Sequence, residues 1–265
     1  MFQQECTIIN NTRVNNSYFI LEISYPENVN QIIPGQFVQL KLLNKEECLF
    51  RRPFSISFVD EVNNSISLLI QIAGKTTEQL STIKKGNLVD IIAPLGNGFY
   101  INDSQIHFLV GGGVGVAPLY LLAKRLKENK DNRVISFLGY GSKDFLAYED
   151  ELKKFSDKVI VATDNGSYGE QGFITAIMER FLQSENGEEN ISVYACGPKP
   201  MLRALSEISP KYGLKCQASL EEYMACGIGV CVGCVVKIKL GQDEYTYKRA
   251  CKEGPVFALE EVLWS

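Results

Sequence analysis

Histidine is nearly missing: His107 is the only imidazole in 265 residues. A Ser-His-Asp triad has one residue to be built around, and a multi-histidine metal site has none to spare. His107 is second in the apolar run IHFLV, which predicts a partly buried structural histidine at the edge of a strand. Long apolar runs are missing too. No stretch approaches the roughly 18 residues that a membrane span needs. The opening MFQQECTIIN has no basic segment followed by an apolar core, so no secretory signal is expected. There is no excess of positive charge: Lys and Arg total 27, Asp and Glu 31, for a net charge of -4. That balance argues against a dedicated nucleic-acid binder. Internal repeats and low-complexity linkers are also absent. What remains is an ordinary globular composition, 45% hydrophobic and 22% charged, with a length that allows about two domains.

Cysteine, by contrast, is plentiful and unevenly placed. Four of the eight crowd into positions 226–251. In a chain without an export signal this favours a reducing compartment and a metal site over a disulfide framework. Cys6, Cys48 and Cys216 have no pairing logic and read as structural.

Three textures follow one another. Residues 1–101 carry apolar runs at 18–24, 37–43, 54–59, 65–72 and 88–93, separated by Pro34-Gly35, Asn63-Asn64 and Lys85-Gly86-Asn87. Short strands at that spacing predict a small antiparallel barrel or sandwich. Residues 102–217 alternate the runs 106–110, 134–138, 159–162 and 191–195 with helical patterns. One pattern aligns Leu119, Leu122, Ala123 and Leu126, a second Phe173, Ile177 and Phe181, and a third Met201, Leu202, Leu205 and Ile208. Alternating strand and helix predicts a parallel α/β sheet with a ligand crevice at its carboxyl edge. Residues 218–265 are too few for a sizeable core, so a metal centre would help to hold them.

The strongest chemical signal is Cys226-Gly-Ile-Gly-Val-Cys231-Val-Gly-Cys234, followed by Cys251. Gaps of four and then two residues are those of a plant-type [2Fe–2S] loop. Thiolates are soft ligands suited to iron–sulfur clusters. Gly227, Gly229 and Gly233 let backbone N–H groups approach the sulfurs. A structural zinc site is the alternative, but zinc more often uses two Cys-x-x-Cys knuckles, and only one such pair is present. A second signal, Gly111-Gly112-Gly113-Val114-Gly115-Val116-Ala117-Pro118, follows a strand and opens a helix. It suits a phosphate site, although it misses G-x-G-x-x-G in either register, and it serves equally as a packing turn. Arg51-Arg52-Pro53-Phe54-Ser55 could bind a pyrophosphate and a ring, or could simply flank an edge strand. Cys196-Gly197-Pro198 falls at the expected carboxyl edge, where Cys196 reads as a small buried residue. Asp164, in Thr163-Asp164-Asn165-Gly166-Ser167, suits either a ribose hydroxyl or a turn.

Taken in this order, the motifs resemble the ferredoxin–NAD(P)H reductase superfamily. Arg52 to Ser55 is similar to its flavin-barrel motif, and Gly111 to Pro118 and Cys196 to Pro198 to its nicotinamide-domain motifs. Within it, Arg51–Ser55, Pro94–Phe99, Ala162–Gly169, Met224–Gly229 and Glu253–Phe257 resemble the electron-transfer subunits of B-type, NAD-dependent dihydroorotate dehydrogenases. The resemblance implies an FAD-binding β-barrel over 1–101, an NAD-binding parallel α/β domain over 102–217 and a [2Fe–2S] segment over 218–265. It implies that Arg52 neutralises the FAD pyrophosphate, with Pro53, Phe54 and Ser55 at the isoalloxazine and Leu69, Ile70 and Gln71 lining it. Thr76 and Thr77 fall at the next flavin contact, Thr76 standing where the family often has glycine. NAD falls to Gly111, Gly112, Gly113, Gly115, Asp164, Cys196 and Gly197, and the cluster to Cys226, Cys231, Cys234 and Cys251. No acid–base residue is implied in this chain. The implied partner is an FMN-containing, dihydroorotate-oxidising catalytic subunit, in a cytoplasmic heterotetramer of two of each, with no membrane or nucleic acid involved. Rival expectations are a subunit of another NAD(P)H-linked oxidoreductase, such as a sulfhydrogenase or ferredoxin–NADP reductase-like chain, and a zinc-stabilised nucleotide-binding regulator.

Overall fold

A computed structural model describes residues 1–43, 50–184, 190–241 and 244–264; Cys48 lies outside them. The first sheet has seven strands: β1 (Phe2–Arg13), β2 (Tyr18–Ser24), β3 (Phe37–Leu42), β4 (Arg52–Ser55), β5 (Phe58–Asp60), β6 (Ser65–Gln71) and β7 (Leu88–Leu95). Their order is β4-β3-β7-β1-β2-β6-β5, and every pairing is antiparallel. The run 54–59, which reads as one strand, is broken at Ile56 and Ser57. Ile56 N–H bonds Gln36 on one edge of the sheet, and Ser57 N–H bonds Ser67 on the other. The chain therefore crosses from edge to edge, and the sheet curls on itself. Strand β1 carries few apolar residues, with only Cys6 and Ile8 strongly buried among its twelve. Its place is set by pairing on both sides rather than by hydrophobic alternation. Helix α1 (Lys75–Ser81) is likewise unannounced by periodicity. It starts where the Thr77 hydroxyl accepts the Ala73 and Gly74 N–H groups.

The second sheet is built from β8 (Ile106–Gly112), α2 (Ala117–Leu126), β9 (Arg133–Tyr140), α3 (Glu149–Lys153), β10 (Lys158–Thr163), β11 (Glu170–Gln171), α4 (Ile174–Ser184), β12 (Ile191–Cys196), α5 (Lys199–Ile208) and β13 (Lys215–Ser219). The order β11-β10-β9-β8-β12-β13 is parallel throughout. Apolar residues cover both faces, as a doubly covered parallel sheet requires. Two expectations are corrected here. Phe173 precedes α4 rather than joining its buried face, and is 72% exposed. His107 is fully buried rather than partly so, and burial pushes its imidazole pKa down, towards the neutral form.

The C-terminal segment forms a hairpin, β14 (Val235–Lys239) with β15 (Tyr245–Arg249). It then adds β16 (Val256–Ala258) antiparallel to β13. The segment is thereby stitched into the second sheet rather than hung from it. The two large units meet at a mixed seam. Phe58 stacks on Tyr120 at 4.7 Å between centroids, and the Ser57 and Tyr148 hydroxyls bond at 2.8 Å. Among the described residues no helix is long and apolar enough to cross a membrane.

Candidate cofactor sites

Alternation along β6 sorts the residues expected at the flavin. Leu69 and Gln71 line a cavity of about 560 Å³ together with Pro53, Phe54, Ser55 and Thr77. Ile70 points the other way, into the barrel core, and is fully buried. Its side chain is therefore not part of the cavity wall. Thr76 is also buried and off the lining, while Thr77 is on it. The opposite wall comes from other units: Val114 and Ala117 at the start of α2, and Lys199 and the strap Ser219–Met224. Lys199 pairs with Glu222 at 2.8 Å. Val114, Ala117 and Met224 belong to motifs read in the sequence, but nothing in the sequence pointed to Lys199 or to 219–223 here, because packing between units brings them to this wall. Arg52 begins β4 beside the cavity residue Pro53 and, among the described residues, donates only to the backbone carbonyls of Phe50 and Arg51, at 3.2 Å each. Arg51, in contrast, is committed to Asp90 through an ion pair and a bond to the Asp90 carbonyl.

The glycine loop and the Cys196 loop leave adjacent parallel strands, with Gly111 opposite Cys196 in register. The connections on either side of β8 run to opposite sides of the sheet. This is the switch point where such folds bind ligands. Most of these glycines serve close packing. A Cβ on Gly115 would overlap the Cys196 carbonyl and lie 2.7 Å from Gly197 Cα. One on Gly197 would lie 2.9 Å from Gly112 N, and one on Gly111 would meet Val116 and Leu119. Gly113, with φ +55°, has room on its open side. Gly112 and Gly113 line a second cavity of about 590 Å³ with Asp164, Phe173 and Met201. Gly111, Gly115 and Cys196 lie behind that surface. Cys196 is fully buried. Burial first, and the Glu221 charge second, push its thiol well above the ordinary range, so it is held neutral. Gly115→Ala is expected to cost about 1–3 kcal/mol through this overlap, read as a lower Tm in calorimetry. An unchanged Tm would show that the two loops can separate freely.

The cluster cysteines come as two pairs. Cys231 donates its backbone N–H to Cys226 Sγ, and Cys251 donates its own to Cys234 Sγ. Among the described residues no three His, Cys, Asp or Glu side chains are grouped to hold a metal ion. A two-iron cluster needs two thiolates for each iron, whereas one tetrahedral zinc needs all four around a single point. The donor set therefore fits [2Fe–2S]. The local backbone fits it as well. Val230 and Cys231 donate N–H to Cys226 Sγ at 3.3 and 3.4 Å, and Cys251 N–H donates to Cys234 Sγ at 3.4 Å. Gly227 and Gly229 adopt φ +68° and +86°, and even Val232 is held at +57°. Burial disfavours a Cys226 thiolate, but the N–H groups of Cys231, Ile228 and Val230 outweigh it, and the thiol falls to about 6. Cys251 is pushed up to about 12, by burial first and then by Cys234. Arg249 anchors the loop by donating to the Gly229 carbonyl at 2.6 Å while paired with Glu253.

Three family models match: an oxidoreductase FAD-binding domain over residues 5–100, an oxidoreductase NAD-binding domain over 109–207, and the iron–sulfur cluster binding domain of dihydroorotate dehydrogenase B over 221–263. The dihydroorotate dehydrogenase B (NAD(+)) electron transfer subunit of Caldanaerobacter subterraneus subsp. tengcongensis is 39% identical over 99% of each chain. That of Fusobacterium nucleatum subsp. nucleatum is 39% identical over 98% of each. The chain belongs to the dihydroorotate dehydrogenase B electron-transfer subunit family. Its fold is ferredoxin–NADP reductase-like, with a curled antiparallel FAD-binding barrel, a parallel NAD-binding sheet and a C-terminal iron–sulfur segment. A structure of an NADH-dependent reduced ferredoxin–NADP oxidoreductase superposes with a TM-score of 0.85, at 31% identity, over 98% of this chain and 90% of that one. The cytochrome b5 reductase domain of Ulva prolifera nitrate reductase, at 17% identity and a TM-score of 0.65, shares the fold over 80% of this chain and 93% of its own. Like the family, this chain combines FAD-binding, NAD-binding and iron–sulfur elements in one oxidoreductase component.

Proposed function

We propose that this chain takes electrons from an FMN-containing, dihydroorotate-oxidising catalytic subunit and delivers them to NAD⁺ through [2Fe–2S] and FAD, in cytoplasmic pyrimidine biosynthesis. The complex is read as a heterotetramer of two of each subunit. The supporting observation is a shared wall. Phe37 and Met224 line the flavin cavity, and the same two side chains pack with Cys234 and Cys251. Cluster ligands and flavin pocket are thus separated by a single packed layer. When bound, the cluster supplies one-electron chemistry and FAD joins it to two-electron hydride chemistry at NAD⁺.

The chain's own residues bind and orient. Arg52 meets the FAD pyrophosphate, and Pro53, Phe54, Ser55, Leu69 and Gln71 shape the ring site. Gly112, Gly113 and Asp164 receive the dinucleotide. At the other end, Cys231 is exposed on a loop whose Ile228, Val230 and Val232 are 38%, 74% and 56% exposed. That apolar fringe suits docking of the electron donor at the cluster's edge. Asp164 would repel a 2′-phosphate, so kcat/KM for NADH should exceed that for NADPH; equal values would remove the assignment.

One observation favours a second reading, a subunit of another NAD(P)H-linked oxidoreductase: the 31% identity to the reduced ferredoxin–NADP oxidoreductase chain. Affinity purification from the native host, followed by a dihydroorotate:NAD⁺ assay, separates the two. Co-purification with an FMN protein and orotate formation support the first reading. A different partner without that activity supports the second.

A further inference from the structure

Gln39 lies at the centre of β3, opposite Pro53 of β4. Its neighbours Val38 and Leu40 belong to the barrel core. By alternation Gln39 faces the other side of the strand, where the cluster loop lies. It is fully buried. Its Nε2 reaches Met224 Sδ at 3.9 Å, a weak acceptor. Its Oε1 is buried without a hydrogen-bond partner among the described residues. The turn after Cys226 presses directly on this amide. A Cβ on Gly227 would lie 2.6 Å from Gln39 Cδ and closer still to Nε2.

A buried acceptor left unpaired carries an unrepaid desolvation cost. Methionine, of similar length, would fill the space without that cost. What the amide adds is an N–H dipole lying against the turn that carries a cluster ligand. We propose that Gln39, packed under the iron–sulfur loop, tunes the cluster that the loop holds: its amide favours the reduced, more negative state. Hydrogen bonds and dipoles around the sulfurs are among the groups that set such potentials. The inference rests on the reading that the four thiolates hold [2Fe–2S].

The test uses the full chain with its cluster, comparing wild type, Gln39→Met and Gln39→Glu. Iron and acid-labile sulfide are counted, the midpoint potential is measured by an EPR-monitored titration, and Tm is recorded. Gln39→Met should keep its iron, melt no lower than wild type, and lower the cluster reduction equilibrium about tenfold, roughly 59 mV for one electron. Gln39→Glu, which adds negative charge at the same length, should shift it further down. A side chain that only filled space would leave the potential unmoved. Unchanged potentials in iron-loaded variants would therefore overturn the role of Gln39 alone. If Gln39→Met fails to fold, an unchanged potential in Gln39→Glu does the same. Loss of iron from both variants would mean that the amide builds the loop instead of tuning it, which also overturns the proposal. Wild-type protein without acid-labile sulfide would overturn the cluster reading itself.

Discussion

Cys231→Ser is expected to leave NADH:dye activity largely intact while the dihydroorotate:NAD⁺ activity of the assembled complex collapses. Serine offers a hard oxygen in place of a soft thiolate. Cys231 is exposed, and its own N–H supports Cys226 Sγ at 3.4 Å. The substitution therefore strikes one ligand directly and disturbs its paired neighbour. The C-terminal segment depends on metal for part of its folding energy, so iron and local order should be lost together. The barrel and parallel-sheet cores are separate clusters of apolar residues and do not contain Cys231. Flavin and nucleotide sites should thus survive, and the NADH:dye route needs only those two. The assay is run on complex shown by size-exclusion chromatography to retain both subunits. Dihydroorotate:NAD⁺ turnover at the wild-type rate in intact, iron-free complex would refute the relay through the cluster.

Arg52→Ala is expected to weaken FAD retention by roughly ten- to a hundredfold. A charge-assisted bond to a desolvated phosphate is worth about 1.5–3 kcal/mol. The structure distinguishes two adjacent arginines that the sequence leaves equivalent. Arg51 is tied to Asp90 across the sheet, whereas among the described residues Arg52 bonds only backbone carbonyls. Arg52 can therefore turn to an anion at little cost, and Arg51 would first have to leave a carboxylate. Purified variants are compared by bound-flavin absorbance and by titration of apoprotein with FAD. Full occupancy and an unchanged Kd in Arg52→Ala would count against the assignment.

How much was legible beforehand follows from which residues had local reasons to be where they are. The cluster motif is largely local: Cys226, Cys231, Cys234 and the glycines sit in one loop with a diagnostic spacing, and only Cys251 is brought in from beyond the β14–β15 hairpin. The β runs at 18–24 and 65–72 and the helix with Leu119, Leu122, Ala123 and Leu126 are also local, because their apolar residues are consecutive or at helical spacing and are buried. Strand β1 was illegible, since its register comes from two partner strands and not from its own pattern. Phe173 shows the converse: a residue at helical spacing that the chain leaves outside the helix, beside the nucleotide cavity.

The amino-acid sequence by itself determined the three textures, the soft-ligand loop, and the glycine-rich turn between strand and helix. Each is written in consecutive residues whose propensities agree. Only the tertiary structure decided which motif residues face a cavity. It turned Ile70 into the barrel core and Leu69 and Gln71 out of it, set Gly115 against the Cys196 carbonyl, and committed Arg51 to Asp90. It also laid Gln39 of one unit under Gly227 of another, and made Phe37 and Met224 common to the cavity beside β6 and the packing of Cys234 and Cys251. The physical reason is that burial, close approach and ion pairing depend on residues distant in the chain. They come into being only when the strands are paired and the units are packed.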